Sequence, residues 1–156
     1  MQTTMNPNLK TLIEDDLVRH EGYVERIYLD HLGFKTFGVG HLVTMSDIEY
    51  TWPVDTPVSK ERIEQCFKQD LDNAIAECER LFPDLYVHPE NVQRVLVNMT
   101  FNLGVPKLKR FKRLREAVSE RDYAKAAEEM IDSKWYGQVG RRSKELVRLM
   151  EWADAG

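Results

Sequence analysis

Three residues in one short stretch have the types and spacing that acid–base chemistry requires. The segment from His20 to His41 reads HEGYVERIYLDHLGFKTFGVGH and contains Glu21, Asp30 nine positions later and Thr36 six positions after that. A glutamate at a helix end meets the negative end of the helix dipole, which together with partial burial favours the protonated carboxyl of a general acid. An aspartate in a polar turn is expected to stay ionised, and carboxyls in such unlike environments are typical of an acid and base pair. The threonine hydroxyl can hold a water molecule beside the aspartate.

Each of these residues also has a purely structural interpretation. A glutamate near a helix end is usually exposed, and an aspartate before a turn usually stabilises the turn. Gly38 and Gly40 leave one face of a strand without side chains, so a ligand is expected to approach the backbone closely there. The residue types therefore make hydrolysis of a glycosidic bond chemically feasible without requiring it.

The surrounding pattern predicts the elements that would position these residues. Apolar residues at helical spacing predict a first helix over about residues 8–21, with Asn8 as its cap and Gly22 just after its end. Two segments rich in β-branched and aromatic residues, RIYLD and FKTFGVGH, predict a hairpin within a β lobe at about residues 22–58.

The rest of the chain has the periodicity of helices. The pattern predicts a long helix over about residues 59–82 that joins two lobes, and a helical C-terminal lobe over about residues 89–154. Within that lobe, three shorter helices are predicted in KRFKRLREAVS, RDYAKAAEEMIDSKWY and RRSKELVRLMEWA. The predicted fold class is α+β and mostly helical, in one domain over residues 1–156.

Composition excludes several classes of protein. Hydrophobic residues make up 42% of the 156 residues and charged residues 31%, which favours a globular fold over disorder. No apolar run approaches the ~20 residues of a membrane helix, and the N-terminus has no signal-peptide pattern. The histidines lack metal-ligand spacing, and Cys66 and Cys78 are expected to be buried free thiols, so neither a metal nor a cofactor is predicted.

Charge is distributed unevenly along the chain. Residues 1–104 carry 9 basic and 17 acidic side chains, a balance of −8, whereas residues 105–156 carry 13 basic and 9 acidic, a balance of +4. Much of the basic excess lies in KLKRFKRLR, from Lys107 to Arg115. A basic surface suits an anionic polymer, either nucleic acid or cell-wall glycan, and a solvated helix face is the alternative explanation.

The run HEGYVERIYLDHLGFKTFGVGHLVT closely resembles the catalytic segment of the T-even phage lysozyme and endolysin family, glycoside hydrolase family 24. The spacing of its glutamate, aspartate and threonine is that of the family. Further resemblances follow in order: CFKQDLDNAI is similar to the long inter-lobe helix, and NMTFNLG to the core helix of the C-terminal lobe. The resemblance implies a two-lobed fold with a small N-terminal β-hairpin lobe, and a peptidoglycan hydrolase.

The family mechanism implies roles for the first three residues. Glu21 would protonate the glycosidic oxygen between N-acetylmuramic acid and N-acetylglucosamine. Asp30 and Thr36 would position a water for attack from the opposite face, which is inverting hydrolysis and separates the two carboxyls by roughly 6.5–9.5 Å. Arg142 matches an arginine that pairs with the catalytic glutamate, and this pairing would oppose the effect of the helix end.

Other family positions imply substrate contacts and a structural ion pair. Leu42, Phe101 and Asn102 match positions that line the saccharide cleft, although Phe101 fits the aromatic core of an apolar helix equally well. His41 and Asp70 match a structural salt bridge, which should raise the pKa of His41. The chain is shorter than the family pattern between these two residues, so a reduced β lobe is expected. The residues before the first helix have no counterpart and are predicted to form a disordered tail.

The resemblance also implies a biological setting, that of a phage endolysin. We expect a monomer that binds bacterial peptidoglycan and has no membrane anchor and no nucleic-acid partner. It would accumulate in the host cytoplasm, need a holin for access, and be released to the periplasm and cell wall at lysis. Two alternatives are a catalytically silent wall-glycan-binding or virion-associated module of the same fold, and a nucleic-acid-binding protein that uses KLKRFKRLR. Intact Glu21, Asp30 and Thr36 argue against both.

Overall fold

The computed structural model describes residues 4–154, which form eight α-helices and a three-stranded antiparallel sheet. The chain divides into two compact units. The N-terminal unit is Glu14–Asn73, and the C-terminal unit comprises residues 4–13 and 74–154. The mostly helical α+β class predicted from the sequence is confirmed. The predicted disordered tail falls partly on residues 1–3, which lie outside the described residues.

Helix α1 spans Pro7–Glu21 and is capped by Asn6. The side-chain Oδ1 of Asn6 accepts a hydrogen bond of 2.9 Å from the backbone N–H of Asn8. The predicted cap at Asn8 was therefore wrong, because a proline suits the first helical position and moves the cap to the residue before it. Gly22, with φ +86°, follows the helix as predicted, and its N–H bonds the carbonyl of Val18.

The sheet has one strand more than the predicted hairpin. Its strands, in spatial order, are β1 (Val24–Leu29), β2 (Lys35–Gly38) and β3 (His41–Leu42). The third strand has only two residues, too few to produce an alternating pattern in the sequence. A 3₁₀ turn at Ile48–Thr51 lies in the loop that follows β3.

The core of the N-terminal unit forms between the sheet and helix α2, which spans Lys60–Leu81. The boundary between the two units falls within this helix, after Asn73. Apolar side chains from both elements are buried together: Ile27, Phe37, Val39, Val58, Ile63 and Cys66. This packing fixes the sheet on the helix and thereby the residues that the strands carry.

The C-terminal unit contains the remaining helices. These are α3 (Glu90–Leu103), α4 (Val105–Leu108), α5 (Lys112–Ser119), α6 (Tyr123–Ile131), α7 (Lys134–Gln138) and α8 (Arg141–Glu151). Helix α8 packs against α3 and α6, and α6 also packs against α5. The single helix predicted over RDYAKAAEEMIDSKWY is divided into α6 and α7. The reason is Ser133, whose Oγ accepts a hydrogen bond from the N–H of Tyr136 and so caps a new helix.

Candidate active site

Glu21 is the last residue of α1, and its half-buried carboxyl lies against the backbone of Gly40. A Cβ atom built on Gly40 would lie 2.7 Å from Oε1 of Glu21 and 3.0 Å from its Cδ. Gly40 has a φ of +61°, which glycine adopts without steric cost. At Gly38, a Cβ atom would lie 2.8 Å from the side chain of Ile63. The two glycines that were expected to admit a ligand therefore admit protein side chains.

Asp30 follows β1 and closes the turn to β2 with one of its two carboxylate oxygens. Its Oδ1 accepts hydrogen bonds from the backbone N–H groups of Leu32 at 2.9 Å and Phe34 at 2.8 Å. The N–H of Gly33 donates to the Asp30 carbonyl at 2.9 Å, which completes the turn. Among residues 4–154, no hydrogen-bond donor reaches Oδ2. The structural role thus uses one oxygen and leaves the other to accept a proton.

Thr36 lies in the middle of the sheet and is only 5% exposed. It pairs with Tyr28 of β1 on one side and with Leu42 of β3 on the other, and directly opposed residues share one face of a sheet. Its hydroxyl donates a hydrogen bond of 3.0 Å to the carbonyl of Phe34. Because the hydroxyl proton is engaged there, the lone pairs of Oγ1 are available to accept a hydrogen bond from water. Leu42 is 49% exposed, so its side chain is accessible.

His41 lies in β3 between two carboxylates. Its Nδ1 is 2.7 Å from Oδ2 of Asp70 on α2, and its Nε2 is 2.9 Å from Oδ2 of Asp47 in the loop that follows. Partial burial by itself would lower the pKa of His41, but the hydrogen bonds and charges of the two aspartates outweigh burial and raise it. The ion pair implied by the resemblance is present, and Asp47 is a second partner.

A buried carboxylate extends this arrangement. Glu49, which is 0% exposed, accepts two hydrogen bonds from Arg62, at 2.8 Å from Nε and 3.0 Å from Nη2. The same Nη2 lies 3.3 Å from Oδ1 of Asp47. Burial would raise the pKa of Asp47, but the Thr44 N–H and the His41 and Arg62 charges together lower it. We call the connected set the ion-pair network: His41, Asp47, Glu49, Arg62 and Asp70.

Three of the predicted site residues belong to the C-terminal unit. Asn102, near the end of α3, accepts a hydrogen bond of 2.9 Å at Oδ1 from the indole N–H of Trp135. Its neighbour Phe101 is half-buried. Arg142, in the first turn of α8, is 8% exposed and donates through Nε to Oδ1 of Asn98 at 2.9 Å. These contacts orient Asn102 and Arg142 within their own unit.

The basic segment predicted from the sequence surrounds a cavity of the C-terminal unit, with a volume of about 670 Å³. Five cationic side chains line it: Lys107, Arg110, Lys112, Arg113 and Lys134. The acidic residues in the lining are Glu129 and Asp132. No ion pair joins any of these five cations to another residue in the described part of the chain. The basic excess is therefore concentrated at one concave surface.

A metal centre and a membrane-spanning helix are two other features that residues 4–154 could form. No group of three or more His, Cys, Asp or Glu side chains there is placed to hold a metal ion. None of the helices in that range is both long and apolar enough to cross a membrane. Cys66 and Cys78 are buried free thiols, as predicted. Burial raises the pKa of Cys66 to about 11 and that of Cys78 to about 12, so both thiols stay protonated and unreactive at neutral pH.

Six of the predicted site residues lie in the N-terminal unit: Glu21, Asp30, Thr36, His41, Leu42 and Asp70. Phe101, Asn102 and Arg142 lie in the C-terminal unit. The sequence reasoning missed Asp47, Glu49 and Arg62. The signal for Asp47 was its position three residues after Thr44, because the Thr44 N–H donates to Asp47 at 2.9 Å in a local turn. The Glu49–Arg62 pair spans thirteen residues with no periodic signal.

Comparison with known proteins connects this geometry to one family. A family model described as phage lysozyme matches residues 18–151. A relative named probable T4-type lysozyme 1, from Dictyostelium discoideum, is 27% identical over 158 residues, covering 89% of this chain and 93% of that protein. The pre-baseplate central spike protein Gp5 of Enterobacteria phage T4 is 25% identical over 166 residues, covering 95% of this chain and 28% of that protein.

A third relative is a peptidoglycan hydrolase, gp36 of Pseudomonas phage phiKMV. It is 26% identical over 135 residues, which cover 86% of this chain and 14% of that protein. The family match includes Glu21, Asp30 and Thr36 as well as both compact units. The chain belongs to the phage lysozyme family.

Proposed function

We propose that this enzyme of the phage lysozyme family is an inverting N-acetylmuramidase. Its substrate is bacterial peptidoglycan, and the bond it cleaves is the β-1,4 bond between N-acetylmuramic acid and N-acetylglucosamine. The observation that carries the mechanism is the unequal use of the Asp30 carboxylate. One oxygen is bound by two backbone N–H groups, while no described donor reaches the other.

In this mechanism Glu21 is the general acid. Its proton passes to the glycosidic oxygen as the bond from that oxygen to the anomeric carbon breaks, and the leaving sugar departs as an alcohol. The close approach of Gly40 supports this assignment, because it limits the positions open to the Glu21 carboxyl. A carboxyl held in this way keeps its proton aimed in one direction.

Asp30 is the general base, and it acts through Oδ2 on a water molecule that Thr36 helps to hold. The water donates one hydrogen to Oδ2 of Asp30 and the other to Oγ1 of Thr36. Its lone pair attacks the anomeric carbon from the face opposite the leaving group, while Asp30 accepts a proton. The engagement of the Thr36 proton with the Phe34 carbonyl supports this role, since it leaves Oγ1 as an acceptor.

The remaining site residues have supporting roles in the proposal. Leu42, Phe101 and Asn102 contact the saccharide, and Arg142 supports Glu21. The exposure of Leu42 favours such a contact, and the amide N–H groups of Asn102 can donate to the sugar because its oxygen is engaged by Trp135. The family match runs through both units, and we propose that they act together as a single lysozyme domain over residues 1–156.

The test is hydrolysis of purified Gram-negative peptidoglycan by wild type and by Glu21→Gln, with release of reducing ends as the readout. Glu25→Gln is the matched control, because Glu25 is an exposed glutamate only four residues away. We expect wild type and Glu25→Gln to clear the wall, and Glu21→Gln to lose activity by at least about 100-fold. Sedimentation of wild type with the wall, without release of reducing ends, would instead identify a silent wall-binding module.

The biological setting is also a proposal. We propose a monomeric endolysin that accumulates in the host cytoplasm and reaches the periplasm and wall through a holin. A virion-associated role is the second candidate, because the chain is similar to part of Gp5, which is named as a pre-baseplate central spike protein of phage T4. Mass spectrometry of purified phage particles distinguishes the two, since only a virion component would be found in them.

A further inference from the structure

Tyr28 lies on β1 directly opposite Thr36, and no role has yet been assigned to its hydroxyl. The sheet register pairs Tyr28 with Thr36 and Thr36 with Leu42. Because directly opposed residues project from the same face, these side chains form one row across the three strands. Asp30 comes two residues after Tyr28, just beyond the end of the strand. Tyr28 is therefore next to the residues proposed to hold the attacking water.

The hydroxyl of Tyr28 has no protein partner among the residues that the structure describes. Its side chain is half-buried, yet no residue between 4 and 154 forms a hydrogen bond with it. Two other half-buried tyrosines do have partners: the hydroxyl of Tyr86 donates to Glu79, and that of Tyr123 lies 2.7 Å from Nδ1 of His88. This hydroxyl is not among the buried polar atoms that lack a partner in the described residues, so it is open to solvent and can donate to a ligand that replaces the water.

The surroundings of this phenol define which ligand group it suits. Burial raises the pKa of Tyr28, and the nearby carboxylates of Glu21 and Asp30 raise it further. The hydroxyl therefore remains protonated at neutral pH and acts as a hydrogen-bond donor. The ionised carboxylate of Asp30, the proposed base, disfavours an anion at this position. A neutral oxygen, such as a sugar hydroxyl or an amide carbonyl, is the acceptor that fits.

We propose that Tyr28 is a substrate-binding residue, which donates its hydroxyl proton to a neutral oxygen of the saccharide held at Glu21 and Asp30. This inference rests on the proposed function, and it adds a contact to the same site. The acceptor is a hydroxyl or an N-acetyl carbonyl of the sugar. Leu42, at the other end of the row, presents an apolar surface to the same saccharide.

The test is steady-state kinetics of Tyr28→Phe on soluble glycan strands, with reducing ends as the readout. Tyr50→Phe is the matched control, because Tyr50 is an exposed tyrosine of the same unit. Loss of one hydrogen bond to a neutral acceptor should raise the KM of Tyr28→Phe about fivefold, with kcat changed less than about twofold. Tyr50→Phe should match wild type in both constants, and all three proteins should melt at the same temperature.

The outcomes separate the inference from the proposed function. If wild type releases no reducing ends, the proposed function is wrong. If wild type is active and Tyr28→Phe has the wild-type KM, the assignment of Tyr28 is wrong and the function stands. A fall in kcat and melting temperature at unchanged KM would show a structural role and would also overturn the assignment.

A second measurement decides the matter even if Tyr28→Phe does not fold. The Glu21→Gln protein, with tyrosine labelled with carbon-13 at Cζ, is titrated with glycan strands and followed by NMR. We expect the Cζ resonance of Tyr28 to move on saturation and that of Tyr50 to stay. A Tyr28 resonance that stays in place while other resonances of the sheet report binding would refute the proposed contact.

Discussion

Different backbone features hold Glu21 and Asp30, and the proposed roles of Glu21 as acid and Asp30 as base follow from them. The Glu21 carboxyl lies against a glycine in a left-handed conformation, where no other residue leaves room for it. The Asp30 carboxylate is bound through one oxygen by a tight turn. Both arrangements are local to the N-terminal unit, and each can be tested by a single substitution.

Replacing Gly40 with alanine should abolish activity. The new Cβ atom would stand 2.7 Å from Oε1 of Glu21, so the carboxyl must move, and we expect at least a 100-fold loss of hydrolysis, on the order of effects of misplaced catalytic groups. Gly33→Ala is the control, because Gly33 also has a positive φ but nothing within 4 Å of an added Cβ. Both variants should lose about 1 kcal/mol of stability from backbone strain. Equal activities in the two would contradict the role of the contact.

Asp30→Asn and Asp30→Ala should distinguish the role of Asp30 in the turn from its role as general base. Asparagine keeps an oxygen that accepts from Leu32 and Phe34, so Asp30→Asn should retain nearly wild-type stability while losing hydrolysis. Alanine removes both hydrogen bonds and should cost about 1–3 kcal/mol of unfolding free energy in addition. Thermal or urea unfolding alongside the reducing-end assay gives both readouts. An active Asp30→Asn protein would rule out Asp30 as the base.

At the scale of elements, the ion-pair network joins β3 and the loop after it to helix α2. His41 contributes through Asp70 on the helix and Asp47 in the loop, and Arg62 joins the helix to buried Glu49. Val43, Trp52 and Val58, in the segment between β3 and α2, also pack against the apolar core. We infer that charged side chains and apolar packing together hold this segment in place.

The contribution of His41 to stability should depend on pH. Its folded-state pKa is raised, so its contribution is fully present below about pH 6.5, the ordinary value, and is lost as pH rises through the folded value. Asp47 has a lowered pKa, so its contribution is present above 3.8 and lost as pH falls through the folded value. The network should therefore stabilise the folded protein most between pH 3.8 and about pH 6.5.

The measurement is the difference in melting temperature between wild type and His41→Asn at several pH values. We expect the difference to be largest near pH 5.5 and to shrink toward pH 9. His31→Asn provides the control, because His31 is exposed in the turn after β1. A difference that stays constant across this range would show that His41 contributes by packing and not by charge.

The elements also show where sequence reasoning succeeded and failed. Long helical segments such as α2 and α3 were predictable, because α2 repeats apolar residues on one face and α3 is apolar on most of its sides. The two-residue strand β3 was missed. The break between α6 and α7 was also missed, because a single capping hydroxyl, that of Ser133, produces it. Gly38 and Gly40 were recognised as sites of close approach, but what approaches them depends on tertiary packing, which no local pattern encodes.

The candidate site was predictable only in part, because some of its contacts also depend on tertiary structure. The spacing of Glu21, Asp30 and Thr36 indicated acid–base chemistry, and the resemblance to a family implied which role each residue has. That one oxygen of Asp30 binds the turn while the other stays open could be seen only from the backbone geometry. Asp47 reaches His41 through a loop, and Tyr28 reads in sequence as an ordinary strand residue.

At the scale of the whole molecule, charge differs between the ends of the chain. Residues 105–156 have a balance of +4, and five of their cations line one cavity, while the entire chain carries −4. An anionic wall polymer would be attracted to the basic surface and repelled by the remainder. Salt should therefore affect binding to the wall more than it affects the chemical step.

Wall hydrolysis should slow as salt increases from about 0.1 M to about 1 M, because the screening length falls from ~10 Å to ~3 Å. The double variant Lys107→Gln and Arg113→Gln should be slower at low salt and less sensitive to added salt. Lys60→Gln with Lys68→Gln, two exposed lysines on α2, is the control and should behave as wild type. A wild-type rate that is flat across this range would contradict electrostatic binding.

The most direct test of the central claim is the anomeric configuration of the product at the moment of cleavage. Wild type is mixed with glycan strands, and the new N-acetylmuramic acid reducing ends are followed by NMR before they mutarotate. Attack by a water held at Asp30 and Thr36 predicts the α-anomer as the first product, because the β bond is displaced with inversion. Initial appearance of the β-anomer would show retention, and would contradict the assignment of Asp30 as a base acting on water.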